Sequence, residues 1–153
     1  MSPRLDFYSA APNAIEILLE QENNLRRQFS NEHPVTITTW ELVKLRVSQI
    51  NQCGYCIDMH SKNALKNGEK SERIVGLSAW RDTPLYTQRE QKALAWAELV
   101  VSNHAISADE YAQAVNEFGE TGLTELTIAI NAINSWNRIS KAFKPEVGSY
   151  QPS

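Results

Sequence analysis

Cys53-Gly54-Tyr55-Cys56-Ile57-Asp58-Met59-His60 carries both cysteines of the chain, three residues apart, with a histidine four residues beyond the second. Two cysteines placed at random in 153 residues would stand at this separation roughly once in eighty trials, so the spacing is read as chemistry. Paired thiols of this kind serve as a redox couple or as metal ligands. On a helix, residues three apart share a face with Cβ atoms roughly 5–6 Å apart, so a modest adjustment lets Cys53 and Cys56 close a disulfide. A helix N-terminus beside them lowers a thiol pKa from about 8.5 and favours the reactive thiolate. His60 lies one turn beyond Cys56 on the same face, where its imidazole can take the thiol proton directly or through water. Cys56 is thus the better-placed nucleophile. A thiolate that attacks the O–O bond of a peroxide becomes a sulfenic acid, which a second thiol condenses with to release water, and an external reductant must then restore the dithiol. The plain alternatives are an inert buried cysteine pair and a histidine on a helix surface.

As metal ligands, Cys53, Cys56 and His60 would need a carboxylate or water as the fourth, whereas structural zinc sites usually draw ligands from two separate elements. His33 and His104 are isolated in sequence segments that read as loops, and there is no second cysteine pair. Nor is this a c-type haem site, which requires histidine directly after the second cysteine, where Ile57 stands. A thioredoxin is disfavoured for want of a βαβ pattern.

A chain of 153 residues makes one domain with a sizeable core and no need of disulfide or metal staples. The formal charge of −3, with fifteen Lys and Arg spread along the chain, excludes the basic footprint of a nucleic-acid binder and disfavours an anionic membrane as partner. Met1-Ser2-Pro3-Arg4-Leu5-Asp6 lacks the regions of a signal peptide, and no run approaches the length of a membrane span. The expectation is a cytoplasmic protein. In that reducing compartment paired cysteines are used for transient catalytic disulfides or for metal.

The dithiol must be positioned by helices. Ala14, Ile15, Leu18, Leu19, Leu25 and Phe29 recur at helical spacing after Pro12, which predicts one amphipathic helix over 11–29. Ser30-Asn31-Glu32-His33-Pro34 ends it. Thr38-Thr39-Trp40-Glu41 has the form of a capping box for a helix over about 39–50, and the stretch from the dithiol to Lys66 is helical in composition and stops at Asn67-Gly68. Ser71, Thr87-Gln88-Arg89-Glu90 and Ser107-Ala108-Asp109-Glu110 each mark a further helix start. A last helix over about 123–143 carries two apolar stripes, Leu126, Ile130 and Ile133 on one and Ala129, Ala132, Trp136 and Ile139 on the other. Such a helix faces either the fold on one side and a second subunit on the other, or a core on both. No run alternates between hairpin turns. The fold is therefore predicted as all-α, an oligomeric domain of six to seven helices over 1–145 without repeats. The tail 146–153 is expected to be disordered or to lie as an arm on a neighbour.

The block Leu42-Val43-Lys44-Leu45-Arg46-Val47-Ser48-Gln49-Ile50-Asn51, with the dithiol and Ile57-Asp58-Met59-His60 after it, resembles the core of the alkylhydroperoxidase D-like group of the carboxymuconolactone decarboxylase superfamily. Leu77-Ser78-Ala79-Trp80-Arg81 with Thr87-Gln88-Arg89-Glu90, and Ile130-Asn131-Ala132-Ile133-Asn134-Ser135-Trp136-Asn137-Arg138, are similar too, so that the likeness runs over most of the chain from Arg4. The resemblance implies an all-helical subunit that assembles into dimers, trimers or hexamers and reduces hydroperoxides. It implies Cys56 as the peroxidatic cysteine, Cys53 as the resolving one, and a proton relay of His60 and Glu41. From the residues alone, Glu41 reads instead as the capping partner of Thr38. The best-known members carry a histidine where this chain has Tyr55, as many relatives do. The phenol can donate a hydrogen bond to a thiolate or peroxide oxygen but is a poor base at neutral pH, and packing alone is its competing role. The namesake decarboxylases generally lack the dithiol, so retention of Cys53 and Cys56 argues against lactone decarboxylation.

The expected function is a thiol-dependent peroxidase with no cofactor beyond its redox-active disulfide, served by an external thiol or dihydrolipoyl-type reductant. The competing readings are a thiol-disulfide oxidoreductase or redox sensor acting on a protein, and a metal-binding protein.

Overall fold

A computed structural model describes residues 4–153. Met1, Ser2 and Pro3, which open the segment read above for a signal peptide, lie outside the described residues. The described residues form seven α-helices, a 3₁₀ segment and no strand. In order they are α1 (Phe7–Ala10), α2 (Pro12–Phe29), α3 (Ile37–Ile50), α4 (Gly54–Lys66), α5 (Ser71–Val75), the 3₁₀ helix Gly76–Asp82, α6 (Gln88–Val101) and α7 (Ala108–Phe143). None is long and apolar enough to cross a membrane.

α3 is the central element. Val43 and Val47 on one side join a cluster with Leu25, Phe29, Trp96 and Ile130, while Leu42 and Leu45 on the other join Leu77, Trp80, Tyr86 and Leu94. A helix with apolar residues on opposite sides must be covered on both, and α4, α6 and α7, with α2 and the 3₁₀ segment, do this. The capping box expected at Thr38 does not form: the N-cap is Thr36, two residues earlier, whose hydroxyl accepts from the Thr39 amide at 3.1 Å. Glu41 therefore falls beyond the first turn, and the structure overturns its reading as a cap. Thr87 and Ser107 do form the capping boxes expected of them, with Glu90 and Glu110. Ser71 does not cap: Lys70 precedes α5 without a side-chain bond, and the element is one short turn passing into 3₁₀.

α7 is broken at Gly119, whose φ of 72° and ψ of 169° are not helical, so the segment over 120–143 matches the last helix predicted. Leu126, Ile130 and Ile133 of the first stripe are buried within this chain, as are Ala129 and Ala132 of the second, while Trp136 and Ile139 of the second are only partly covered. Close approach at Gly122 seats the loop after α2, since a Cβ there would stand 2.7 Å from Pro34 Cγ. His33, expected to stand alone, ties that loop to α7. Its Nδ1 accepts from the Val35 amide at 2.9 Å, which leaves Nε2 to donate to Glu125 at 2.6 Å.

Two polar networks fix α3 against its neighbours. Glu98 of α6 receives Arg46 Nε at 2.9 Å, Trp80 Nε1 at 3.0 Å and Arg81 at 2.5 Å. At the C-terminus of α3, Asn51 Nδ2 donates to Asn134 and Asn137 at 2.9 and 3.0 Å, and Asn137 Nδ2 donates to Ser48 Oγ at 3.0 Å. Buried amides satisfied this fully resist displacement, and they clamp the chain to α7 immediately before Gln52 and the dithiol.

The tail differs from both expectations. It lies along α4 of its own chain. Lys62 Nζ donates to the carbonyls of Gly148 and Tyr150 at 3.3 and 3.0 Å, Tyr150 donates to Asn63 at 2.8 Å, and Lys66 reaches Ser153.

Candidate active site

Gln52 adopts a left-handed φ of 53°, a conformation that costs a non-glycine residue of order 1 kcal/mol and more. It turns the chain from α3 into α4 so that Cys53 becomes the N-cap. Cys53 Sγ accepts from the Cys56 amide at 3.3 Å, as a serine or aspartate oxygen would in the same position. The two cysteines are joined in a disulfide, with Cα atoms 5.3 Å apart. Both sulfurs thus stand in the first turn of a thirteen-residue helix, where the helix field favours negative charge.

His60 is placed over the same face by helical spacing. It is 5% exposed, and both ring nitrogens lack a hydrogen-bond partner. From α3, Glu41 approaches with Oε2 3.6 Å from His60 Nδ1. This is ion-pair range, somewhat beyond a hydrogen bond, and Oε2 is itself unpartnered. Lys44 completes the cluster: its ammonium donates to Glu41 Oε1 at 2.7 Å and stands 3.7 Å from the centre of the Trp40 ring. Glu41 and Lys44 are each 4% exposed. Orphaned buried polar atoms cost about 1–3 kcal/mol each, and two of them, Glu41 Oε2 and His60 Nδ1, face each other here.

The charges of this cluster follow from its surroundings. Burial would raise the Glu41 pKa, but the facing His60 and the Lys44 ammonium outweigh it and hold the carboxyl down at about 2. Burial lowers the His60 pKa, and Lys44 lowers it further, against the opposing pull of Glu41. At neutral pH Glu41 is a carboxylate and the His60 imidazole is neutral. A neutral histidine is the form that accepts a proton.

Cys56 and His60 face a common cavity of about 210 Å³. Phe7, Leu19, Met59, Ile133 and Trp136 give it an apolar wall, and Tyr8, Glu22, Arg26, Lys44, Tyr55 and Asn63 are among its polar groups. Glu41 does not line this cavity. It lines a second one of about 480 Å³ toward the C-terminal end of α4, with Thr38, Asn67 and Arg73. Tyr55 borders the Cys56 cavity and also a third, over Cys53. Burial, with Tyr150 and Asp58 nearby, raises its pKa, so it stays a neutral phenol.

Cys53, Cys56, His60, Glu41 and Tyr55 are therefore brought together, although they come from two helices. Cys53 and Cys56 are bonded to each other, and among the described residues no three His, Cys, Asp or Glu side chains cluster as metal ligands would. Sequence reasoning passed over Lys44 and Glu22. A lysine within the apolar run Leu42-Val43-Lys44-Leu45 was a usable signal for the first. Nothing in Glu20-Gln21-Glu22 marked the second, whose pKa burial raises despite Lys44, Trp136 and Arg26 nearby.

Residues 31–99, which span α3, α4, the 3₁₀ segment and most of α6, match the carboxymuconolactone decarboxylase family. The uncharacterised protein YdfG of Bacillus subtilis is 36% identical over 144 residues, which are 93% of this chain and 95% of that one. A crystal structure from Agrobacterium tumefaciens, of a protein of unknown function proposed to be the antioxidant defence protein AhpD, superposes with a TM-score of 0.84 at 30% identity and covers 99% of both chains. The debrominase Bmp8, solved with 2,3,4-tribromopyrrole, superposes with a TM-score of 0.79 over 92% of this chain and 74% of its own. At 15% identity that likeness is one of fold alone, and the reaction has to be read from the site. The chain belongs to the carboxymuconolactone decarboxylase family, as an AhpD-like member.

Proposed function

We propose that the protein is a thiol-dependent peroxidase that reduces hydroperoxides through the Cys53–Cys56 couple. The observation that carries this reading is the convergence of Cys56 and the unpartnered, neutral His60 on one apolar-walled cavity, with the Glu41 carboxylate behind the imidazole. In the dithiol form His60 takes the Cys56 proton. The result is a thiolate–imidazolium pair beside a Glu41–Lys44 pair, so the buried cluster gains no net charge. This makes the transfer feasible in a medium where an isolated charge is costly.

The thiolate sulfur attacks the outer oxygen of ROOH. The S–O bond forms as the O–O bond breaks, leaving Cys56 sulfenic acid and RO⁻, which the His60 imidazolium protonates to ROH. Cys53 then attacks the Cys56 sulfur, water leaves, and the disulfide closes. Two electrons from an external thiol or dihydrolipoyl-type reductant reopen it. Glu41 orients the imidazole and stabilises its charged form, and the Tyr55 phenol, which borders the same cavity, donates to the peroxide. The apolar wall suits an organic hydroperoxide. The same reading includes a cytoplasmic homo-oligomer and no cofactor beyond the disulfide, whereas lactone decarboxylation has no use for the dithiol.

The test is turnover of cumene hydroperoxide with dithiothreitol as reductant. Consumption in step with dithiothreitol oxidation is expected. A disulfide that dithiothreitol opens but cumene hydroperoxide does not re-form would instead favour thiol-disulfide exchange on a protein partner.

A further inference from the structure

The two sulfurs of the disulfide line different cavities, which adjoin at Tyr55 and Ser140. Cys56 forms part of the peroxide-side cavity described above, whereas Cys53 lies on the floor of a different one of about 570 Å³. That second cavity has Gln52, Gly54 and Tyr55 on one side and Lys141, Pro145, Glu146 and Val147 on the other. Its outer wall is the C-terminal tail, with Val147 Cγ2 only 3.6 Å from where a Cβ on Gly54 would stand. The tail is pinned in place by Lys62, which also holds Asp58 at 2.9 Å, and by Tyr150 on Asn63. Cys53 is 2% exposed, so a thiol that reaches it must enter this groove.

We infer that the groove between α4 and the C-terminal tail is the reductant's binding site, and that a low-molecular-weight thiol on a slim arm enters it to attack Cys53 Sγ. This rests on the peroxidase reading for its purpose, but the exchange itself does not need peroxide. In the first step RS⁻ bonds to Cys53 Sγ, the S–S bond breaks, and Cys56 departs as thiolate into the cavity that holds His60 and Lys44. A thiolate that is stabilised leaves faster, which favours attack on Cys53 over attack on Cys56. In the second step another thiolate RS⁻ attacks the outer sulfur of the mixed disulfide, RS–SR leaves, and Cys53, released as thiolate, takes a proton from solvent. The volume falls within the range of small-molecule sites. A folded protein's cysteine, in contrast, cannot reach a sulfur roofed by the tail. Oxidant and reductant thus approach the couple through different cavities and do not compete for one pocket.

The experiment treats the oxidised full-length protein with 2-mercaptoethanol, quenches with N-ethylmaleimide in acid, and maps the peptides by mass. The expected product has 2-mercaptoethanol on Cys53 and maleimide on Cys56. The reverse placement would overturn the inference and leave the peroxidase reading intact. Failure of the reduced protein to react with cumene hydroperoxide would overturn the peroxidase and leave the Cys53 site standing. As a second measurement, Gly54→Leu, whose Cβ meets only ordinary contact, should fill the groove and slow opening by 2-mercaptoethanol about tenfold. An unchanged rate would place the thiol's entry elsewhere.

Discussion

The Cys56→Ser protein is expected to consume no hydroperoxide beyond the rate of buffer alone, a loss of about 10³-fold or more from wild type. The hydroxyl that replaces the sulfur cannot be ionised by a neutral imidazole, and no sulfenic acid can form. Cys53→Ser is expected to behave differently. Its Cys56 keeps His60 and the same cavity, so one equivalent of peroxide should still be consumed and a sulfenic acid should accumulate, trappable with dimedone. Turnover should stop there, because the condensing thiol is gone. The two variants are compared by mass spectrometry after a single addition of peroxide. A sulfenic acid on Cys53 in the Cys56→Ser protein would reverse the assignment of the two roles.

Glu41→Gln carries the second large effect, and it reaches both stability and rate. In the wild-type protein Glu41 is held at about 2 against an ordinary value of 4.5. A carboxyl depressed in this way contributes stability that is fully present above pH 4.5 and lost as pH falls toward 2. The shift corresponds to about 3 kcal/mol. His60 acts in the same direction: its pKa is lowered by folding, so protonation of the unfolded chain below about pH 6.5 also draws the equilibrium away from the fold. Replacing Glu41 with glutamine leaves the buried Lys44 ammonium without its counter-charge, a loss of about 3 kcal/mol or more at neutral pH. Chemical denaturation at pH 7 and pH 4 checks both points: the variant should be less stable at pH 7 and should lose less on acidification. The imidazolium formed during reaction also loses its partner, and oxidation of the dithiol should slow by about 100-fold. A variant with wild-type rate and stability would return Glu41 to a passive role.

Much of the fold was legible because its signals were local. Thr87 and Ser107 open their helices as their sequences specify, and the Cys53–His60 face follows from helical spacing alone. The misreadings share one cause, competition between residues that sequence treats as equivalent. Thr36, Thr38 and Thr39 can all cap a helix, and only the hydrogen bond to the Thr39 amide selects Thr36. With that choice Glu41 moves from the cap to the His60 contact. The paired stripes of α7 are the pattern of a core helix and of an interface helix alike, and the packing of α2, α3 and α6 accounts for Leu126, Ile130 and Ile133 but leaves Trp136 and Ile139 partly exposed. Turn formers in the tail describe its own backbone but not the lysines and the asparagine of α4 that hold it. Lys44, three residues from Glu41, has the look of an exposed ion pair on a helix, and it becomes a buried one because α3 is enclosed on every side.

The central claim is that peroxide oxidises this couple directly. Stopped-flow mixing of the fully reduced protein with one equivalent of cumene hydroperoxide, followed by a count of free thiols, tests it. The expected result is rapid loss of both thiols for one peroxide consumed, with the Cys53–Cys56 disulfide as the product. Thiols that persist over the time in which free cysteine would react would contradict it.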